Sequence, residues 1–97
     1  MLETLRGVIA PFTTAFSQDD SLDLGAVAAQ VDWLIAESVH RLAAGGSTGE
    51  GHALTRKEHR DLLAETVRAA RGQVPVVVVG IISNSTAETA ARGRQVA

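Results

Sequence analysis

Cysteine and tyrosine are absent from this chain of 97 residues, and lysine occurs once, as Lys57. Without cysteine, disulfides and thiolate metal sites are excluded, and a cytoplasmic location is expected. Chemistry that depends on a tyrosine or a well-placed lysine must draw those groups from elsewhere. Aromatic residues are limited to Phe12, Phe16 and Trp33, too few for a base-stacking platform. A formal net charge of -2 leaves no basic footprint for nucleic acid or an anionic membrane. The longest apolar run, Val74 to Val79, is too short to span a bilayer. The opening stretch MLETLRGVIAPF carries Glu3 and no long apolar region, so no signal peptide is expected.

What is present reads as a soluble α/β domain. Apolar residues make up 45% of the chain and charged residues 21%, a globular balance. The length permits one small domain, residues 1–97, with a modest core. The pattern is β-α-β-α-β-α. GVIAPFTTAF, Gly7 to Phe16, suggests a first strand, and SQDDS, Ser17 to Ser21, a polar turn. Asp23 is the expected N-cap of a helix to about Glu37, with Val27, Val31, Leu34 and Ile35 on its buried stripe and Trp33 packing on the helix. RLAAGG, Arg41 to Gly46, is the second strand by context. Thr55 and Glu58 form a capping box for a helix to about Arg71. Leu62, Leu63, Thr66, Val67 and Ala70 would share its buried face, with Lys57, Arg60, Asp61 and Arg68 away from it. Gly72 is the expected stop. PVVVVG, Pro75 to Gly80, is a strand apolar enough to be buried on both faces. Ser85 and Glu88 suggest a second capping box and a third helix. Strand-helix units with short connections imply a parallel sheet whose first and third strands keep open edges.

The stretch AAGGSTGEGH, Ala43 to His52, invites a chemical reading. As a P-loop it fails, because His52 stands where a lysine is needed for the phosphates, and no G-x-G-x-x-G occurs. Two readings remain open on spacing alone. The Ser47 and Thr48 hydroxyls, with the amides of a tight turn, suit a carboxylate or oxyanion at the carboxyl end of a strand. Equally, Gly45, Gly46 and Gly49 would only supply positive φ in a structural turn. Glu50 reads better as an acceptor of backbone hydrogen bonds than as a general base. His52 and His59 lack a third ligand for a metal, and no metal or cofactor is expected.

Together, GSTGE followed by LTRKEH, GVIAPFTTAF followed by SLDL, and VPVVVVGIISNSTAET resemble the dihydrodipicolinate synthase / N-acetylneuraminate lyase family. Departures are visible. Thr14, Ala15 and Phe16 stand where T-P-F is common, Asp20 where a turn glycine is common, and Ser38 to Leu42 in place of G-V-x-G-L. The resemblance implies the first three β/α units of a (β/α)8 barrel, incomplete in this chain. It implies a class I aldolase type of carbon-carbon lyase or synthase, with 4-hydroxy-tetrahydrodipicolinate synthase-like aldol chemistry on pyruvate or a related 2-oxo acid. The Schiff-base lysine and a tyrosine proton shuttle would lie on later segments, and a further tyrosine would come from a neighbouring subunit. Lys57 does not match that lysine. By the same resemblance Ser47 joins a hydroxyl relay, Ser47 and Thr48 bind substrate, and Gly46, Gly49 and Glu50 support the turn.

His59, Asn84 and Glu88 match positions of a lysine effector site found at a subunit interface in some synthases. Arg56 replaces a histidine common there, so no lysine feedback is expected. Family members are usually dimers or tetramers, implying a homo-oligomeric parent, while this chain alone is expected to be inactive. The competing reading is a non-catalytic α/β fragment or interaction module that assembles through its open strand edges.

Overall fold

A computed structural model describes residues 7–71, 73 and 77–96. In chain order the elements among these residues are β1 (Ile9–Pro11), α1 (Leu24–Ala36), β2 (Arg41–Ala44), α2 (Arg56–Ala70), β3 (Val77–Val79) and α3 (Thr86–Val96), with a 3-10 turn at Gly51–Ala53. The sheet runs β1-β2-β3 and is parallel throughout. Ile9 pairs with Arg41, and Leu42 and Ala44 pair with Val77 and Val79.

The first strand is much shorter than the stretch from Gly7 to Phe16. Pro11 has no N–H to give a ladder, and the last bond to β2 is from Phe12 N to Ala43 O at 3.3 Å. Phe16 instead bridges antiparallel to Leu22, closing the polar turn in which Ser17 N donates to Ser21 O at 2.8 Å. β2 likewise stops at Ala44, two residues before Gly46. Gly72 and Pro75 lie outside the described residues. Val78 and Val79 are half-buried, short of burial on both faces.

Helix starts follow the capping residues closely. The Asp23 carboxylate accepts from Ala26 N at 3.0 Å. Thr55 Oγ1 accepts from Glu58 N at 3.1 Å while Glu58 Oε1 accepts from Thr55 N at 2.9 Å, a complete capping box. At α3 only half of the expected box forms. Ser85 Oγ accepts from Glu88 N at 3.0 Å, but the Glu88 carboxylate is engaged by arginines instead.

The core lies between the Leu42 and Ala44 face of β2 and helices α1 and α2, with Phe12, Val27, Val31, Leu54, Leu62 and Ala70 buried there. Leu34 and Ile35 flank it. Trp33 is 61% exposed and not packed as expected; two residues past Val31 puts it about 200° around the helix from that buried position. On α2 the buried stripe is His59, Leu62, Thr66 and Ala70. Val67, expected inside, is 44% exposed, and His59 takes the inward place.

Three non-glycine residues adopt left-handed backbone: Asp20 at φ 68, Ser38 at φ 67 and Glu50 at φ 55. Ser38 follows the α1 cap residue Glu37, the place where helices commonly end with a left-handed residue.

Candidate functional site

β2 delivers the chain into the Gly45–Glu50 turn at its carboxyl end. Gly45 turns left-handed at φ 68, and Glu50 does so at φ 55. Gly46 and Gly49 have no positive φ, so of the three glycines that the purely structural reading of the turn invoked, only Gly45 is left-handed. Gly49 is needed for close approach, since a Cβ there would stand 3.0 Å from Phe12 O and 3.1 Å from Thr14 Oγ1. Gly46 would meet nothing within 4 Å. The Glu50 carboxylate caps no backbone group, so Glu50 supports the turn through its backbone and not through the expected accepted bonds. Inside the turn Glu50 N donates to Ser47 O at 3.1 Å and Gly51 N to Gly46 O at 3.0 Å.

The turn is clamped from three sides. From the β1 loop, the buried Thr14 hydroxyl donates to Gly49 O at 2.5 Å. From β3, Gly80 N donates to Ala44 O at 2.7 Å. From α2, the His59 ring lies under Gly45, where an added Cβ would stand 3.5 Å from its Cδ2 and Nε2. His59 is 2% exposed, and its Nε2–H donates to Gly80 O at 2.8 Å. A carbonyl partner fixes the proton on Nε2. The ring's Nδ1 is buried without a partner among the described residues. A Cβ on Gly51 would overlap the Gly45 carbonyl, and one on Gly80 would reach 2.5 Å from its oxygen. Gly45, Gly51 and Gly80, the last from the end of β3, therefore stack their backbones at one point.

On this platform Ser47 and Thr48 are exposed, and neither hydroxyl has a hydrogen-bond partner among the described residues. Neither lines a described groove. Two grooves among the described residues lie instead between the tip of β3 and α3. One of about 430 Å³ is lined by Ser83, Asn84, Ser85, Thr86, Thr89 and Ala90. Its neighbour of about 390 Å³ is lined by His52, Ile82, Ser83, Asn84, Ser85, Glu88 and Arg92. Of the three effector positions, Asn84 and Glu88 share this second groove, while His59 is buried under the glycine turn. Thr14, Gly51 and Gly80 carry the turn's geometry, a role the sequence reading assigned to none of them. The only signal for them is a glycine directly after a strand or turn and a threonine near the end of the first strand.

Glu88 joins α2 to α3. Arg56 donates to it through Nε at 2.9 Å and Nη2 at 2.6 Å, and Arg92 Nε donates at 3.1 Å. The Arg56 hydrogen bonds first, then that from Arg92, hold its carboxyl down to about 2 from the ordinary 4.5. A value depressed on folding means the tie is fully present above about 4.5 and is lost as pH falls toward about 2. Urea midpoints should therefore fall through this window in the native sequence and fall less in Glu88→Gln; equal slopes would contradict the tie.

Lys57 is exposed on α2 and ion-paired with Asp61 at 2.7 Å. No three His, Cys, Asp or Glu side chains gather at metal-binding distance among the described residues. Nor is any helix among them long and apolar enough to cross a membrane.

The sequence profile described as the dihydrodipicolinate synthetase family matches residues 4–97. The chain belongs to this family. A 4-hydroxy-tetrahydrodipicolinate synthase from Chelativorans sp. (strain BNC1) is 46% identical over 83 residues, 86% of this chain and 28% of that protein. Among solved structures, a chloride-inhibited dihydrodipicolinate synthase from Acinetobacter baumannii, complexed with pyruvate, superposes with a TM-score of 0.88 at 27% identity. That match covers 95% of this chain and 31% of the solved one. A putative dihydrodipicolinate synthetase from Pseudomonas aeruginosa gives 0.87 at 33% identity, covering 95% and 31%. The chain thus spans less than a third of these relatives. As a dihydrodipicolinate synthetase family member it supplies three parallel strands and their helices toward a (β/α)8 barrel.

Proposed function

We propose that this chain forms the first three β/α units of a Schiff-base lyase or synthase acting on pyruvate or a related 2-oxo acid. Thr48 binds the acid's carboxylate, and Ser47 both contacts substrate and passes protons in a hydroxyl relay. Hydroxyls suit both tasks because each donates and accepts. The carbon-carbon step needs an amine that forms the Schiff base and acts as an electron sink; that amine and the tyrosines belong to later strands and to a neighbouring subunit of a cytoplasmic homo-oligomer. The observation that carries the reading is a pair of unpartnered hydroxyls at the carboxyl end of β2, on a turn clamped by Thr14, His59 and Gly80. Ligands in such folds bind at that end of the strands. Pyruvate in the Acinetobacter baumannii relative supports the substrate class.

Lysine is not an effector in this reading. Arg56 and Arg92 already occupy the Glu88 carboxylate, so an ammonium finds no free acceptor there. Calorimetry with the full-length protein and lysine should show no binding.

A second reading, assembly through strand edges without catalysis, draws on the exposed Val8 (58%), just before β1, and Ile9 (37%), its first residue. Borohydride with pyruvate separates the two. The 97-residue chain should gain no adduct, because Lys57 is solvent-exposed and paired with Asp61, whereas the full-length protein should gain one pyruvyl adduct beyond residue 97. An adduct on Lys57 would overturn the assignment, and no adduct on either protein would favour assembly alone.

A further inference from the structure

The structure assigns Thr14 a positioning role at the 2-oxo acid site, with Gln30 of α1 as the remote residue that steadies it. The assignment rests on the proposed reading of Thr48 as the carboxylate-binding hydroxyl, and concerns what holds that hydroxyl in place.

Thr48 is exposed and is followed by Gly49, and glycine has the widest choice of backbone conformation. The aim of Thr48 therefore depends on what fixes Gly49 from outside the turn. The clamps from β3 and α2 act at the turn's entrance, where Gly80 N holds Ala44 O and the His59 ring lies under Gly45. Thr14 reaches the far side. It is 7% exposed, and its hydroxyl donates to Gly49 O at 2.5 Å. Among the described residues no other side chain hydrogen-bonds to residues 46–50. Gly49 is itself buried, and a Cβ on it would stand 3.0 Å from Phe12 O, so the exit of β1 presses on the turn at this point. A buried carbonyl that loses its donor must shift or stay unpaired.

Thr14 is fixed in turn by its neighbours. Phe12 N donates to Ala43 O at 3.3 Å, and Ala15 O accepts from Asp23 N at 2.9 Å. Between them Thr13 closes a ring of two bonds with Gln30. Thr13 Oγ1 donates to Gln30 Oε1 at 3.1 Å, and Gln30 Nε2 donates to Thr13 O at 2.9 Å. Gln30 precedes Val31, which is fully buried, so the path runs from a packed helix through Thr13 and Thr14 to Gly49 and Thr48. Thr13 is exposed and Gln30 half-buried, and such polar pairs add little to global stability. What the ring fixes is the place of the loop, and a substrate-holding group displaced by a fraction of an ångström loses much of its effect.

Borohydride trapping in the full-length protein against pyruvate concentration, with urea midpoints in parallel, tests the role. Thr14→Val should raise the concentration for half-maximal trapping about tenfold, while the rate at saturating pyruvate falls far less. Thr14→Ser keeps the donor and should stay within about twofold of native. Gln30→Leu should raise the concentration about threefold with a urea midpoint near native, a split that a merely structural role would not give. A folded Thr14→Val with the native concentration, or Thr14→Ser as impaired as Thr14→Val, would overturn the role. A native value in Gln30→Leu would overturn its part and, where Thr14→Val does not fold, the whole. Thr48→Val, measured alongside, separates two failures. A shift there with none in Thr14→Val overturns the positioning role alone. No shift in either, or no adduct in the native protein, overturns the substrate reading together with it.

Discussion

Gly51→Ala is expected to destabilise the chain by about 3 kcal/mol, while Gly46→Ala, one turn earlier, should change stability by no more than about 0.5 kcal/mol. Both substitutions add one methyl group to the same glycine-rich segment. At Gly51 the methyl would overlap the Gly45 carbonyl, which also lies against Gly80. Gly45 cannot yield easily, because it packs on the His59 ring and its neighbour Ala44 accepts from Gly80 N at 2.7 Å. At Gly46 the methyl would enter open space. Domains of this size have only a few kcal/mol to lose, so Gly51→Ala should leave a measurable unfolded fraction in buffer. Urea denaturation of both variants checks this, and similar midpoints would show that the backbone stack is not rigid.

His59→Ala should cost a similar amount, about 3 kcal/mol, through two separable losses. One is the ring volume, since His59 is among the largest fully buried side chains. The other is the donor to Gly80 O at 2.8 Å, whose loss leaves a carbonyl short of a partner. His59→Leu restores volume without the donor. His59→Gln restores a donor near the Nε2 position and should recover about 1 kcal/mol relative to alanine. If the ring also positions the turn, Ser47 and Thr48 amide shifts should move in His59→Ala and return toward native in His59→Gln. Recovery by leucine alone, with amide shifts unmoved, would reduce His59 to a space-filler.

The helices were legible because their signals are local. Asp23, Thr55 and Ser85 each cap an amide three residues on, a relation that needs no tertiary partner. The fate of Glu88 was not, because Arg56, 32 residues away, claims the carboxylate that local pattern assigns to a capping box. Hydrophobic periodicity placed Val67 inside and overlooked His59, since a polar residue registers as outward even where a carbonyl such as Gly80 O waits for it. The glycines were only partly legible for the same reason. Positive φ is a local property, which the structural reading assigned to Gly45, Gly46 and Gly49 and which only Gly45 shows, whereas the tight packing at Gly51 and Gly80 comes from the approach of both to the Gly45 carbonyl. Motif order, by contrast, identified the family from three short segments, because a barrel's strand-end loops carry its chemistry.

The central claim is that Thr48, on this clamped turn, holds the carboxylate of a 2-oxo acid for an amine located elsewhere in the protein. Its most direct measurement is borohydride trapping in the full-length protein as a function of pyruvate concentration, with Thr48→Val against the native sequence. Loss of a hydrogen bond to a carboxylate should raise the concentration for half-maximal trapping about tenfold or more, with the adduct still forming at saturation. An unchanged concentration in a folded Thr48→Val variant would contradict the carboxylate assignment.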